Sequence, residues 1–209
     1  MKVLVTGFGP YRDVDRNPSG LVAEQLNGSV IDGYEVLGAV LPVSFRRALE
    51  LVPMLLLEHR PAVALHLGLS LGAAELRVER VAINLMDSEK GDVDGYRPRD
   101  QPIVPGGPAA YFATIPTRRV VEELRGMGIP ARLSYSAGTF LCNCVMYISL
   151  HTIAANGLNA LSGFIHVPYT PELAVKKGSP SMCLHLIKEA VVAAIRVSLR
   201  SRNSARATA

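Results

Sequence analysis

The sequence predicts an α/β fold: a three-layer αβα sandwich whose central sheet is twisted and mostly parallel. Short apolar runs rich in β-formers alternate along the chain with longer segments whose apolar residues recur at helical spacing. Such alternation is typical of α/β proteins with a parallel sheet. The compact run Ala62–Leu67 is apolar at nearly every position, as expected for a strand buried on both faces. With 209 residues and no repeat or internal linker, the chain fits one domain, residues 1–209.

The first part of the chain contains two predicted strands and two predicted helices. Lys2–Thr6 is a β-rich run that ends in glycine, and Tyr34–Val40 is predicted as the second strand. Ser19–Leu26 has helical character and begins at a residue that suits an N-cap. Ser44–His59 carries apolar residues at helical spacing. Pro53 lies inside that second helix, where it is expected to cause a kink or to end the first segment.

The second part of the chain continues the alternation after one long interruption. Residues 86–108 are polar and rich in glycine and proline, and an irregular segment of that length is often a lid or a binding loop. We therefore expect it to be mobile. The predicted strands are Val78–Leu85, Ala131–Tyr135 and Gly163–Val167, and the predicted helices are Pro116–Met127, Thr139–Ala154 and Ser181–Arg200.

Charge is concentrated at the C-terminal end. The formal net charge is +4, and Arg196, Arg200, Arg202 and Arg206 are enough to account for it. The rest of the chain is therefore close to neutral, without the basic, aromatic-rich face that nucleic acids require. We expect residues 201–209 to form a frayed, solvated helix end, and we expect no nucleic-acid partner.

The composition also indicates where the protein works. No apolar run reaches the length of a membrane span, and the first residues lack the apolar core and cleavage site of a signal peptide. Cys142, Cys144 and Cys183 are an odd number without the spacing of a disulfide framework. This favours a reducing cytoplasm. No Cys/His cluster has ligand spacing, so we expect no metal, no cofactor and no membrane partner.

Cys142 is a candidate nucleophile because of its position. The segment Ser136-Ala137-Gly138 leads from a predicted strand into a predicted helix, which places Cys142 in or beside the first helical turn. The free N–H groups and partial positive charge of a helix N-terminus favour a thiolate and can hold an oxyanion. Free cysteines also often serve only to fill the core. Cys144 is a rival, although on a helix it points elsewhere. Cys183 is interpreted as a packing residue.

Two histidines compete for the role of base, and two glutamates for the role of its partner. His166 and His66 each lie near the end of an apolar strand, the region where open α/β sheets carry their sites. A histidine on an apolar strand is also often a satisfied core residue. Glu79 and Glu75 share a mixed-charge stretch that is typical of a solvated face. Periodicity alone does not choose between these glutamates.

Several segments, taken together in their order and spacing, resemble the pyroglutamyl peptidase I family, also called pyrrolidone-carboxylate peptidases or peptidase family C15. The resemblance extends from Val3 to about the C-terminal helix. The matching segments are Thr6-Gly7-Phe8-Gly9-Pro10-Tyr11, Asn17-Pro18-Ser19, Leu41-Pro42-Val43, Glu79-Arg80-Val81-Ala82-Ile83-Asn84, Gly107-Pro108-Ala109-Ala110-Tyr111-Phe112, Ser136-Ala137-Gly138-Thr139-Phe140-Leu141-Cys142-Asn143 and Phe164-Ile165-His166-Val167-Pro168-Tyr169.

This resemblance implies a cysteine exopeptidase that removes N-terminal pyroglutamyl residues from peptides through a thioester. It implies Cys142 as nucleophile, His166 as base and acid, and Glu79 as the group that orients His166. The substrate-binding residues that we expect on the same basis are Phe8, Tyr11, Asn17, Phe140 and Leu141. Members of the family are typically cytosolic, free of cofactors and homodimeric or homotetrameric, so we expect the same here.

The chain also departs from the family pattern. Glu89 stands where the family often has an arginine near the oxyanion, and Lys90 or Arg97 can replace that arginine only if the loop shifts. Relatives often carry Gln at the position of Leu69 and Arg at that of Ala73. A family member with impaired catalysis that serves as a binding protein is therefore one alternative.

A nucleotide- or phosphate-binding module is the other alternative. Thr6-Gly7-Phe8-Gly9-Pro10 follows a strand, as phosphate loops do. However, the lysine of a P-loop and a complete G-x-G-x-x-G run are both absent from this segment.

Overall fold

The computed structural model describes the backbone of residues 1–207 and the side chains of residues 1–204. The elements in chain order are β1 (Lys2–Phe8), α1 (Pro18–Leu26), β2 (Val30–Ile31), β3 (Tyr34–Leu41), α2 (Phe45–His59), β4 (Val63–Leu69), β5 (Leu76–Glu79), β6 (Val81–Ile83), β7 (Ala110–Phe112), α3 (Thr117–Gly126), β8 (Ala131–Ser134), α4 (Leu141–Ala155), β9 (Leu161–Val167), α5 (Pro171–Lys177) and α6 (Leu184–Ala207).

The central sheet is seven-stranded, in the order β2-β3-β1-β4-β9-β5-β8. The strands β3, β1, β4 and β9 pair in parallel. β5 runs antiparallel to β9 and parallel to β8, and β2 pairs antiparallel with β3. The prediction of a mostly parallel sheet is confirmed. The reversal at β5 matters for the site, because it sets the tip of β5 beside the middle of β9.

Helices cover both faces of the sheet, as the sandwich prediction requires. One core cluster joins the sheet to α2 and α4, and a second joins the opposite face to α1, α3 and α6. Apolar helix faces are stabilised by this burial, at roughly 25 cal/mol per Å² of apolar surface. Outside the sheet, β6 and β7 form a two-stranded antiparallel ribbon that packs on α4.

Close packing of α1 on β1 explains a glycine in the first loop. A Cβ at Gly7 would lie 2.0 Å from the backbone oxygen of Ser19. Asn17 caps the helix by accepting a hydrogen bond from the Ser19 N–H, so the helix begins at Pro18 and the predicted cap at Ser19 is wrong. Phe8 N–H donates to Ser19 Oγ at 3.0 Å, which ties the tip of β1 to the start of α1.

Two element boundaries differ from the prediction for physical reasons. The strand expected over Val78–Leu85 is interrupted at Arg80. There the backbone N–H bonds to Ser134 O in the main sheet, while the carbonyl accepts from Ala113 N–H, next to the ribbon. The chain thus changes sheets at this residue. The helix α2 continues through Pro53, with buried Val52 and Leu56 on either side, so the expected interruption does not occur.

One of the two C-terminal expectations needs correction. The segment expected to fray, 201–209, is helical as far as Ala207, and residues 208–209 lie outside the described part of the chain, so fraying stays a prediction. Arg202 is buried and donates to Asn159 O at 3.0 Å, which anchors the last turns of α6. Cys183 is exposed and precedes α6, so its interpretation as a packing residue in that helix is wrong.

The long segment 86–108 follows an irregular path without a helix or strand of the main sheet. It closes on itself through a bridge between Met86 and Gln101. Its expected mobility stays a prediction.

Candidate active site

The site begins at the N-terminal end of α4. The first N–H groups of a helix have no intrahelical partner. Phe140 is the N-cap residue and makes no side-chain capping bond, so its side chain does not satisfy these groups either. Cys142 lies in that first turn and is partly exposed, whereas Cys144 is fully buried. Burial raises the pKa of the Cys144 thiol to about 12. Cys142 is therefore the thiol that is open to a substrate.

An asparagine that the sequence reasoning gave no role holds this helix end in place. The side chain of Asn143 accepts from Ile83 N–H at 2.9 Å and donates to Ile83 O and Leu85 O at 2.9 and 3.0 Å. Asn143 is 1% exposed, so it fixes α4 to β6 and to the chain beyond. An amide next to the nucleophile was the only signal in the sequence.

His166 and Glu79 meet across the antiparallel pair β9 and β5. Glu79 is in register with Phe164, and residues two apart on a strand share a face, so Glu79 lies diagonally opposite His166. His166 donates from Nδ1 to Glu79 Oε1 at 2.8 Å. Both residues are buried. Glu79 Oε2 has no hydrogen-bond partner within the described residues, so the only hydrogen bond of this carboxylate goes to the imidazole.

The imidazole of His166 is held in its charged form. Burial lowers its pKa, but a negative charge on Cys142, a hydrogen bond to the Cys142 side chain and the carboxylate of Glu79 outweigh burial and raise the pKa to about 10. At neutral pH the group is an imidazolium. Since Nδ1 faces Glu79, Nε2 is the ring nitrogen available to the sulfur.

His66, the rival base, is used inside the core. It is fully buried, and its ring shares hydrogen bonds of 2.8 Å with Thr6 Oγ1 and with Ser149 Oγ. Burial lowers its pKa to about 3. A neutral imidazole with both nitrogens occupied is a structural group. Glu75, the rival carboxylate, pairs instead with Arg132 near the surface.

Gly68 makes room for the nucleophile. It is in register with His166 on the neighbouring strand, and a Cβ there would lie 2.8 Å from Cys142 Sγ and 2.7 Å from Phe164 Cζ. Neither contact is tolerable without movement of the sulfur or of the ring.

We expect Gly68→Ala to reduce kcat/KM for a cleavable substrate by about 10²-fold, because a displacement of about 1 Å at the reacting atom has that effect. Steady-state kinetics measures it. Gly126→Ala is the control, since a Cβ at Gly126 meets nothing within 4 Å. Full activity of Gly68→Ala would show that the sulfur does not need this space.

An apolar cavity of about 180 Å³ opens beside the thiol. Its lining includes Cys142 and all the predicted substrate-binding residues: Phe8, Tyr11, Asn17, Phe140 and Leu141. The rings of Tyr11 and Phe140 lie 6.0 Å apart, and Phe45 packs edge-on behind Phe140 at 5.2 Å. The structure thus brings these residues together around one pocket.

The polar groups of this lining are mostly committed to the protein. The side chain of Asn17 accepts from Ser19 and donates to Gly9 O at 3.3 Å, and Tyr11 Oη donates to Gly91 O. Lys90 also lines the pocket and makes no ion pair among the described residues. It is the charged residue of the lining.

Leu69, which stands where relatives often carry Gln, lies in the wall of the pocket. Leu69 and Leu71 both line the cavity, so this wall offers no side-chain hydrogen bond. Ala73 is buried in the structure, and Glu89 is exposed.

Two features are absent from the described part of the chain. Among the side chains of residues 1–204, no group of three or more His, Cys, Asp or Glu is arranged to hold a metal ion. The helices of the same part of the chain do not include one that is long and apolar enough to cross a bilayer.

A partly exposed thiol at a helix end that raises the pKa of an imidazole, which a buried carboxylate orients in turn, is the chemistry of a cysteine peptidase. Residues 1–201 match the family model described as pyroglutamyl peptidase, and the chain belongs to this family.

Relatives span nearly the whole chain. The pyrrolidone-carboxylate peptidase of Pyrococcus furiosus is 46% identical, with 95% of this chain and 98% of the relative covered. Pyrrolidone-carboxylate peptidase 1 of Ralstonia nicotianae is 43% identical, with 95% and 92% covered. A crystal structure of the Pyrococcus furiosus pyrrolidone carboxyl peptidase has a TM-score of 0.94 at 44% identity, covering 97% of this chain and 100% of that chain.

Proposed function

We propose that this chain removes N-terminal pyroglutamyl residues from peptides, with Cys142 as nucleophile, His166 as acid and base, and Glu79 as the residue that orients His166. One observation carries the proposal. The apolar cavity ends on the Cys142 thiol, and His166, whose pKa the charge of Cys142 raises, is bonded to Glu79 at 2.8 Å. A ring bound in this cavity presents its exocyclic carbonyl to the sulfur.

Acylation follows from this geometry. The thiolate of Cys142 attacks the pyroglutamyl carbonyl carbon, and the C=O electron pair moves to oxygen. N–H groups at the start of α4 donate to this oxyanion. When the intermediate collapses, the C–N bond breaks and His166 delivers its Nε2 proton to the leaving amine. The products of this half-reaction are a shortened peptide and a thioester on Cys142.

Deacylation reverses the roles. The now neutral His166 accepts a proton from water, and the resulting hydroxide attacks the thioester carbonyl. The C–S bond breaks, pyroglutamate leaves, and the thiolate–imidazolium pair is restored. Glu79 holds the ring in one orientation throughout and stabilises its charged form.

Specificity for pyroglutamate follows from desolvation and charge. The lactam nitrogen is neutral, whereas a free α-amino group carries an ammonium whose transfer to an apolar slot costs several kcal/mol unless it is paired. Among the described residues no carboxylate lines this pocket, and the cation of Lys90 disfavours a second positive charge. Lactam N–H and C=O groups need backbone partners, because unmatched polar groups in the slot are costly.

A turnover assay with matched anilide substrates tests the proposal. We expect cleavage of pyroglutamyl anilide to exceed that of prolyl and of glutamyl anilide, since prolyl carries a ring ammonium and glutamyl a free one. Comparable rates on prolyl and pyroglutamyl substrates would contradict recognition of the lactam. No turnover of the pyroglutamyl substrate would leave the impaired family member as the better description.

The alternative functions have less support. Gly7 in the first loop is required by the 2.0 Å approach of Ser19, and Asn17 caps the helix end that a phosphate would occupy. The first loop therefore serves packing and the pocket wall. The family match and the relatives do not favour a nucleotide-binding module or a binding protein that has lost activity.

Location and assembly remain proposals. We expect a cytoplasmic homodimer or homotetramer. Three free cysteines suit a reducing compartment, and exposed apolar side chains such as Phe112, at 71%, suit an assembled surface. Light scattering of the purified protein measures the subunit number.

A further inference from the structure

We propose that Asp92 is a positioning residue, which fastens the 86–108 segment against the start of α2 and so builds the wall of the pyroglutamyl pocket. This inference rests on the proposed function, because it concerns how the same pocket is formed. Asp92 belongs to the long irregular segment and does not line the cavity itself.

The carboxylate of Asp92 is buried and fully bonded. Asp92 is 6% exposed. Its Oδ2 accepts from Phe45 N–H at 2.9 Å, and its Oδ1 accepts from Asp94 N–H and Tyr96 N–H, both at 2.9 Å. Hydrogen bonds to an ionised acceptor are about twice as strong as neutral ones. One side chain therefore orders its own loop and joins that loop to α2.

The bond to α2 is not needed to begin the helix. Ser44 is the N-cap and accepts from Arg47 N–H at 3.2 Å. Its hydroxyl in turn donates to Asp94 Oδ2 at 2.6 Å, in a more exposed position. The hydrogen bond from Phe45 N–H to Asp92 therefore connects the loop to α2. It stabilises the position of the loop more than it stabilises the helix.

Both ends of this hydrogen bond reach the pocket. On the loop side, Lys90 lines the cavity and Gly91 O accepts from Tyr11 Oη, another lining group. On the helix side, Phe45 packs edge-on against Phe140 at 5.2 Å. The bond between Asp92 and Phe45 thus sets the distance between two walls of the slot.

The neighbouring bond extends the same connection. Val93 N–H donates to Val43 O at 3.0 Å, and Val43 also lines the cavity. Loss of the Asp92 carboxylate leaves only this neutral bond and the exposed Asp94 contacts between the loop and the start of α2. The bonds of the loop to Tyr11 and Thr139 lie elsewhere and do not replace that connection.

The test compares Asp92→Asn and Asp92→Ser with the wild type, using Asp100→Asn as a matched control in the same loop. Asp100 is exposed, and asparagine accepts its positive φ of 45°. We expect KM for pyroglutamyl anilide to rise about 10- to 100-fold in the Asp92 variants, since a pocket that is formed only part of the time weakens apparent affinity. The control keeps the wild-type KM.

Two further measurements separate a positioning role from general damage. Iodoacetamide needs only an accessible thiol and not the lactam-binding walls of the pocket. The rate of alkylation at Cys142, followed by peptide mass mapping because Cys183 is also exposed, is therefore expected to stay at the wild-type value in the Asp92 variants. Trypsin cleavage after Lys90 or Arg99 is expected to become faster in these variants and to slow when pyroglutamate is added.

Two outcomes overturn the inference: an unchanged KM with an unchanged trypsin pattern, and a loss of Cys142 alkylation together with turnover. In the second case Asp92 supports the whole fold. The proposed function fails separately, if the wild type does not cleave the pyroglutamyl substrate. In that case, the comparison of trypsin cleavage in the wild type and in Asp92→Asn still tests whether Asp92 holds the 86–108 segment against the start of α2.

Discussion

Cys142→Ala reduces kcat/KM for a pyroglutamyl anilide by about 10⁶-fold, the scale of loss when a covalent nucleophile is removed. The reason is geometric. Cys142 is the thiol that lines the pocket, and its charge raises the pKa of His166. Among the described side chains, the lining has no second cysteine, serine or threonine to form the acyl-enzyme. What remains is the binding and oxyanion stabilisation at the end of α4.

The matched control is Cys144→Ala, two residues further along the same helix. Cys144 is fully buried, and its thiol has a pKa raised to about 12 by that burial, so it is not a nucleophile at neutral pH. We expect this variant to keep near wild-type turnover. Steady-state kinetics measures both variants, and iodoacetamide labelling is located by peptide mass mapping because Cys183 is exposed and also reacts. Equal losses of turnover in the two variants would refute the assignment of Cys142.

Glu79→Gln is expected to lower kcat/KM by about 10³- to 10⁴-fold, as in other triads whose carboxylate is replaced by its amide. The amide can accept one hydrogen bond from the ring, but it has no charge to stabilise the imidazolium and can also present its NH₂ group to Nδ1. The ring then loses both its orientation and its charged form.

The pKa of His166 determines the direction in which Glu79→Gln shifts the dependence of kcat/KM on pH. Burial alone lowers the pKa of His166, but Cys142 and Glu79 raise it from 6.5 to about 10. A raised pKa means that the imidazolium stabilises the fold fully below pH 6.5, and that this stabilisation is lost as the pH rises through about 10. Because the leaving amine needs the Nε2 proton, kcat/KM falls over the same alkaline range. Without the carboxylate of Glu79, that fall moves to lower pH.

The measurement is kcat/KM as a function of pH for the wild type, Glu79→Gln and Glu75→Gln. Glu75 lies on the surface and pairs with Arg132 at 2.6 Å, so its variant should reproduce the wild-type profile. A Glu79→Gln enzyme whose alkaline limb stays in place would show that the carboxylate does not act on His166. If Glu75→Gln had the larger effect, the identity of the orienting residue would be wrong.

Much of the fold was predictable from local patterns. Apolar runs and helical spacing predicted the strands β1, β3, β4, β8 and β9 and the helices α1 to α4 close to their observed bounds. They also predicted α6, although that helix continues to Ala207, beyond its predicted end at Arg200. Short elements were missed, including β2, β7 and α5, because a few residues carry too little periodicity to be recognised. The interruption at Arg80 was also missed, since it depends on bonds to Ser134 and Ala113, which lie far along the chain.

The pocket likewise combines features that the sequence predicted with features that depend on long-range contacts. The family resemblance predicted Cys142 and five of the other residues that line the pocket, but not how they are held. Gly68 is required because a neighbouring strand carries His166 and a helix end carries Cys142. Asp92 is buried because the loop returns to the first turn of α2. Neither relation has a signature within a few residues of sequence.

By itself the sequence determined the kinds of elements, the candidate thiol at a helix end, and a short list of bases and carboxylates, because periodicity and capping are local properties. The family resemblance selected one residue for each role, but only the tertiary structure gives a physical reason for the selection. His66 and His166 lie on adjacent strands and on the same face of the sheet. His66 meets the hydroxyls of Thr6 and Ser149, whereas His166 meets Glu79. That difference arises because β5 pairs antiparallel with β9, and the register between two strands is set by long-range pairing and burial rather than by either strand alone.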